Sequence, residues 1–459
     1  GQKLDVGRKY SPTARHETLW LLCSIAAHDG LVIRGGDVIQ AYTLAAWPTH
    51  LKKALTRMPT GYEEVINGIR HCVKVGNLYG HPIAGRNWWN SVKRKMLSMG
   101  CKQSQYDPCL FYKMTDGDTF YFLVDVDDVL TFSTPDSGYC RTWKQAFEDD
   151  YDWNDFDTDL REYNSVHIIQ SEGAVSLGME RYITDMWKEY YGDADPHHTY
   201  TTPADIDLAD VVYRASVARD VSQQNTPMAK KFRTLVMKLL YLAILTRPDI
   251  LTAVNLLTRV QAWPNADLMR RAERVLIYAH STKHLRLTYV KDAPLAPQLH
   301  LSPRVVIDGF SDASFARAHS TTGALIKACG AGIWWATQKQ ATIALSPYEA
   351  EVQASSACAC QLVWYIGLME EIGHKQDRPT RLYIDNKAAI DLAHDPMMHE
   401  KSKHIDRKHL YLRELVEEGK VAPEKVASED NPSDALSKPL ARGPAHKHRD
   451  SMLGLQVHK

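Results

Sequence analysis

The sequence predicts a multidomain chain of mixed class, α+β in its first part and α/β in its last, on three observations. Phe120 to Phe132 reads as two apolar, β-prone runs on either side of a turn carrying Asp125, Asp127 and Asp128. Residues 232 to 257 read as Leu-rich amphipathic helices broken at Pro248. From Val305 onward, strands come first and then alternate with helices.

Length and composition bound the answer. At 459 residues there is room for two to four domains with cores of their own. The 44% hydrophobic and 24% charged content is that of an ordinary globular protein. Lys plus Arg equals Asp plus Glu at 55 each, so nucleic-acid binding, if present, rests on local clusters rather than on a global basic field. Eight cysteines show no CxxC and no zinc spacing, and are expected as reduced thiols of an intracellular protein. No uninterrupted apolar segment approaches membrane-spanning length and no signal peptide is seen, so no membrane partner is expected. The chain begins without Met inside what reads as a domain, as a fragment or processed product would.

In chain order, Thr18 to Ala27 is a helical apolar run that Gly30 can terminate, and Leu31 to Ile33 begins a strand leading to Asp37. Asp37 is either a helix N-cap or a partner of the hairpin acids. The three hairpin acids are either a solvated turn or a site for a divalent cation. Crowded carboxylates against apolar residues need a counter-charge, and hard oxygen donors without Cys or His suit Mg²⁺ or Mn²⁺. A helix from Trp88 to Met99 offers Lys93, Arg94 and Lys95, suited equally to a phosphate backbone or to a solvated face. Residues 141 to 200 are acidic and aromatic. Thr201 to Thr226 is the best linker candidate, and Lys291 to Pro303 a second hinge.

The last part has a second acidic set. Strands are predicted at Val305 to Phe310, Gly323 to Ala328 and Gly332 to Trp335, with Asp312 just past the first. Ser346-Pro347-Tyr348-Glu349 is a capping box opening a helix to about Glu371, which assigns Glu349 to the cap and leaves Glu351 free. A strand from Arg381 to Ile384 presents Asp385, and Asp434 lies near a short final helix; either acid could instead be a helix cap. Trp334, Trp335 and Trp364 are core residues or base-stacking platforms. His404 is a surface histidine or a mobile group aiding product release. The basic end from Ala441 to Lys459 either touches nucleic acid or frays.

Several strings then resemble, in order, the reverse transcriptase of copia-type LTR retrotransposons. They are Val75-Gly76-Asn77-Leu78-Tyr79-Gly80, Ala84-Gly85-Arg86-Asn87-Trp88, Asp107-Pro108-Cys109-Leu110-Phe111-Tyr112-Lys113 and Val126-Asp127-Asp128. Thr246-Arg247-Pro248-Asp249-Ile250 resembles the helical connection that follows. Ser311-Asp312-Ala313, Glu349-Ala350-Glu351, Tyr383-Ile384-Asp385-Asn386, Lys403-His404-Ile405-Asp406 and Ser437-Lys438-Pro439-Leu440 are similar to the ribonuclease H of the same elements.

The resemblance implies a right-hand polymerase palm and thumb with N-terminally truncated fingers in residues 1–200. A linker and helical connection would fill 201–302, a ribonuclease H-like mixed sheet with flanking helices 303–440, and a basic tail 441–459. It implies that Asp37, Asp127 and Asp128, and separately Asp312, Glu351, Asp385 and Asp434, are catalytic and bind two Mg²⁺ or Mn²⁺ per site, with His404 catalytic beside the second set. Tyr42 and Arg86 would contact the nucleotide, Tyr42 being also readable as a core aromatic. The implied partners are an RNA template, a DNA primer, an RNA–DNA hybrid, dNTPs and other Gag-Pol products. The implied places are the cytoplasm, in a virus-like particle, and the nucleus. Departures lie in the polymerase part: Asp125 stands where the family has Tyr, Ile83 where it has Gln, Gly85 where it has Pro, and Tyr163-Asn164-Ser165 where it has Phe-Leu-Gly. They support an alternative, a decayed or domesticated element that binds nucleic acid with an inactive polymerase half.

Overall fold

The computed structural model describes residues 10–48, 54–58, 60–62, 65–67, 69–70, 72–154, 162–291, 304–316, 319–394 and 406–455. The chain forms two compact units, one of residues 1–19 with 31–160 and one of 20–30 with 161–459.

The first unit is built on a six-stranded antiparallel sheet in the order Trp153–Asn154, Val32–Val38, Asp128–Ser133, Asp118–Asp125, Leu110–Thr115, Lys102–Gln103. The central hairpin forms as its two apolar runs predict. Phe120, Phe122 and Phe132 are fully buried; from the helix Gly138–Glu148, Trp143 packs tilted against Phe120 and Phe122, and Phe147 packs tilted against Phe122. Only Val126 and Asp127 form the turn, and Val126 takes φ 61°, a left-handed conformation that is costly for a β-branched residue. Two contacts hold it there. The indole Nε1 of Trp88, on the helix Ala84–Ser98, donates to the Val126 carbonyl, and Val38 N donates to Asp127 O at 2.9 Å.

The second unit contains a five-stranded mixed sheet in the order Ala331–Lys339, Thr321–Ala328, Ile307–Ser314, Thr380–Ile384, Val421–Lys425, antiparallel on one side of Ile307–Ser314 and parallel on the other. The helix Pro347–Glu371 covers it, and its cap forms as the sequence predicts: Ser346 Oγ accepts from Glu349 N at 3.2 Å while Glu349 Oε2 accepts from Leu345 N at 2.6 Å. By length and composition this helix could cross a membrane, which corrects the expectation that no segment comes near that length. Its apolar window is 61% buried, however, as in a core helix lying on a sheet.

Helices Pro227–Leu245, Leu251–Thr258 and Ala266–Ser281 pack into the same unit through buried polar bridges. Trp335 Nε1 donates to Ala243 O at 3.0 Å, Asn255 Nδ2 to Thr337 O at 2.9 Å, and Thr252 Oγ1 to Ala435 O at 2.6 Å. Trp335, its ring tilted against that of Trp20 with centres 4.6 Å apart, is therefore a core residue.

Three local expectations change. Thr201 to Thr226 contains a helix, Leu208–Ala218, whose Leu208 and Val212 are buried; two apolar anchors one turn apart are too few to show as a period in the sequence. The basic end forms the helix Arg442–Leu453, with His448, Met452 and Leu453 buried, so it is packed rather than frayed. Asp312 lies within its strand, which runs on to Ser314 because Thr321 and Thr322 continue the ladder.

Gly323, opposite Asp312, has no room for a side chain: a Cβ there would meet Ser433 O, Ser437 N at 2.7 Å and Leu436 C at 2.8 Å, all backbone. Gly323→Ala is expected to destabilise the chain by about 1–3 kcal/mol in urea unfolding, the range for overpacking a well-filled site. Gly443→Ala, in open space, is expected to be neutral or stabilising in the same measurement.

Candidate functional site

The second acidic set is assembled by register. Ser311 pairs with Ile384 across the parallel strands, so Asp312, the next residue in its strand, and Asp385, the first residue past the other strand, come out side by side. Glu351 lies in the second turn of the helix Pro347–Glu371, and Ala313 N donates to its Oε1 at 3.3 Å. Ligand atoms of Asp312, Glu351 and Asp385 all lie within 4.8 Å of one another, the one such group of metal-capable side chains among the described residues.

Asp434 opens the short helix Asp434–Ser437, which the missing side chain of Gly323 allows to sit directly on the neighbouring strand. Thr337 Oγ1 donates to Leu436 O at 2.7 Å, and Asn431 Nδ2 donates to Ser311 O at 2.9 Å, fixing that segment to both strands. Asp434 lies outside the tight group but close enough to push the Asp312 carboxyl up. Ser428 Oγ donates to Asp385 Oδ2 at 2.7 Å.

The electrostatics are those of carboxylates crowded together in a largely buried place. Burial, then the charges of Asp312 and Asp385, push Glu351 up to about 9. Burial first, and Asp434 and Asp385 after it, push Asp312 up to about 6 against a hydrogen bond from Ser437. Asp312 is 4% exposed and Glu351 7%, yet Asp312 Oδ2 and Glu351 Oε2 are buried without a hydrogen-bond partner among the described residues. Two unpaired carboxylate oxygens in an all-oxygen set fit a hard divalent cation.

The first acidic set is brought together by the hairpin. Asp37 pairs directly with Asp128 across the strands, and the turn places Asp127 and Asp125 beside them. Burial first, followed by Asp127, Asp37 and Asp125, pushes Asp128 up to about 6. Burial and Asp127 raise Asp37. These acids do not form a group as tight as the second set. Tyr42 stacks on Tyr79, ring centres 4.9 Å apart, and burial and Asp127 raise both phenols. Arg86 is turned elsewhere, its Nη1 donating to Tyr10 O at 3.0 Å. His404 lies outside the described residues.

Sequence reasoning passed over Tyr79, although it stands in the quoted Leu78-Tyr79-Gly80 string, and Ser428, Asn431 and Gly323, whose roles arise only from packing.

Residues 2–203 match the family model described as reverse transcriptase (RNA-dependent DNA polymerase). The chain is 25% identical to the retrovirus-related Pol polyprotein from transposon TNT 1-94 of Nicotiana tabacum, covering 96% of this chain and 32% of that one. It is 26% identical to the corresponding polyprotein from transposon RE1 of Arabidopsis thaliana, covering 96% and 28%. It thus spans about a third of the length of these relatives. A solved foamy viral protease-reverse transcriptase in complex with dsDNA aligns at 11% identity over 86% of this chain and 68% of that one, with a TM-score of 0.20.

The raised Glu351 carboxyl sets a pH dependence. The folded chain holds a proton there that the unfolded chain gives up above the ordinary value of 4.5, so the stability from this group is full below 4.5 and is lost as pH rises towards about 9. With metal chelated, Glu351→Gln is expected to melt above the parent at alkaline pH, by on the order of 1–3 kcal/mol, and to flatten the fall of melting temperature with pH.

Proposed function

We propose that the chain is the part of a copia-type, retrovirus-related Pol polyprotein that joins an RNA-directed DNA polymerase to a ribonuclease H, a reading supported by the reverse transcriptase family match and by the similarity to such polyproteins. The observation carrying the nuclease half is the convergence of Asp312, Glu351 and Asp385, with two buried carboxylate oxygens left unpaired.

In this reading Asp312, Glu351, Asp385 and Asp434 hold two Mg²⁺ or Mn²⁺ ions. Bound there, the ions supply charge neutralisation and Lewis acidity for water attack on a phosphodiester. The protein's own part is to keep the carboxylates in place. Ser428 orients Asp385, the Ala313 amide holds one oxygen of Glu351, and the bare backbone at Gly323 lets the segment carrying Asp434 lie close on the strand. An RNA–DNA hybrid, selected by A-form shape and the 2′-hydroxyl, is the substrate.

The polymerase half, in the same reading, uses Asp37, Asp127 and Asp128 to hold the ions that accompany a dNTP and the primer 3′-hydroxyl on an RNA template. Tyr42, stacked on Tyr79 beside Asp127, is the residue that meets the sugar of the incoming nucleotide. Other Gag-Pol products and a cytoplasmic virus-like particle, with passage to the nucleus, complete the proposal.

A second reading keeps the nuclease and makes the polymerase half inert. It is favoured by Asp125, a further negative charge beside Asp128, and by the looser gathering of the first acidic set.

Asp312→Asn is expected to lower Mg²⁺-dependent cleavage of the RNA strand of a labelled hybrid by about 100-fold or more while leaving primer extension on poly(rA)·oligo(dT) intact. Asp128→Asn is expected to do the reverse. Cleavage without extension by the parent chain selects the second reading; a hybrid left uncut with Mg²⁺ removes the nuclease.

A further inference from the structure

The second acidic set has a cation of its own. Lys438 follows the helix Asp434–Ser437, and its Nζ lies 2.5 Å from Asp434 Oδ1. Its charge also reaches inward, drawing the Asp312 and Glu351 carboxyls down against the larger upward push of burial. Burial opposes the ammonium in turn, but the hydrogen bond and charge of Asp434, then Asp312 and Asp385, outweigh it and hold Lys438 above the usual lysine range.

The backbone presenting Lys438 is fixed on one side by the Gly323 contact and on the others by Thr337 Oγ1 on Leu436 O and Thr252 Oγ1 on Ala435 O. The side chain is not fixed in the same way: it is 49% exposed and ends a flexible four-carbon stem. The ammonium therefore sits against the outermost acid while the inner oxygens, Asp312 Oδ2 and Glu351 Oε2, remain unpaired.

We propose that Lys438 is an internal counter-cation that competes with a divalent ion for Asp434 and so sets how tightly the carboxylate set binds metal. The inference rests on reading that set as a metal site. A monovalent charge a few ångströms from a divalent ion at the rim of a protein lowers the ion's affinity by about tenfold. Before metal arrives, the same charge offsets the repulsion among the acids.

The test is calorimetric titration of the full chain with Mn²⁺, with Asp312→Asn as the blank for this site, paired with melting in EDTA. Lys438→Ala and Lys438→Gln are expected to bind Mn²⁺ about tenfold more tightly than the parent and to melt lower in EDTA, and Lys438→Arg to keep the parent affinity. Unchanged or weaker Mn²⁺ binding by Lys438→Ala and Lys438→Gln chains that still melt cooperatively overturns the proposal. No Mn²⁺ heat from the parent beyond the blank overturns the metal-site reading itself.

Discussion

Like charges drawn together in an apolar setting repel one another and lose hydration, and a fold can tolerate this only where other interactions leave the backbone no alternative. Asp312, Glu351 and Asp385 meet that condition. Asp312 lies in one of two paired parallel strands, Asp385 directly follows the other, and Glu351 belongs to a helix whose cap and buried face fix its axis against those strands. The ladder and the helix contacts offset the cost of the site, and the raised carboxyls of Asp312 and Glu351 measure what is left over. A site of this kind stores unfavourable electrostatics that a bound cation relieves.

The helical layer of the second unit is tied together by a different device. Arg247 and Asp249 are 1% and 3% exposed and form a two-pronged pair, 2.8 Å for each prong, completed by Tyr278 on the carboxylate and Thr282 on the guanidinium. Every strong donor and acceptor of the pair finds a partner, the condition under which a buried ion pair is tolerated. Pro248 between them starts the next helical turn, so the sequence string that reads as a break is a corner with its charges folded inside.

Much of this was legible in the sequence because it follows from local rules. The two apolar runs around Asp125 to Asp128 gave the hairpin, Ser346-Pro347-Tyr348-Glu349 gave a helix start that hydrogen bonds bear out, and the order of strands and helices after Val305 gave a mixed sheet. What local rules could not supply depends on partners distant in the chain. The helix Leu208–Ala218 is too short and too weakly patterned to declare itself, and Arg442–Leu453 shows its charges in sequence and its buried Met452 and Leu453 only in the fold. Gly323 reads as an ordinary strand glycine until Ser433 to Ser437 are laid against it. The absence of a tight first set also escapes the sequence, since spacing sets which acids share a hairpin but not how their side chains turn.

The seating of residues 431–437 on Gly323 has a bearing on how the protein is made. Asp312 is translated long before Asp434, and the strand Val421–Lys425 that completes the sheet edge comes between them. Until that late segment clears the ribosome, the groove beside Gly323 stays open and the fourth carboxylate is missing. A nascent chain therefore carries an unfinished acidic cluster from the synthesis of Asp312 until that of Asp434, and the cluster closes only once elongation has passed the last of its acids.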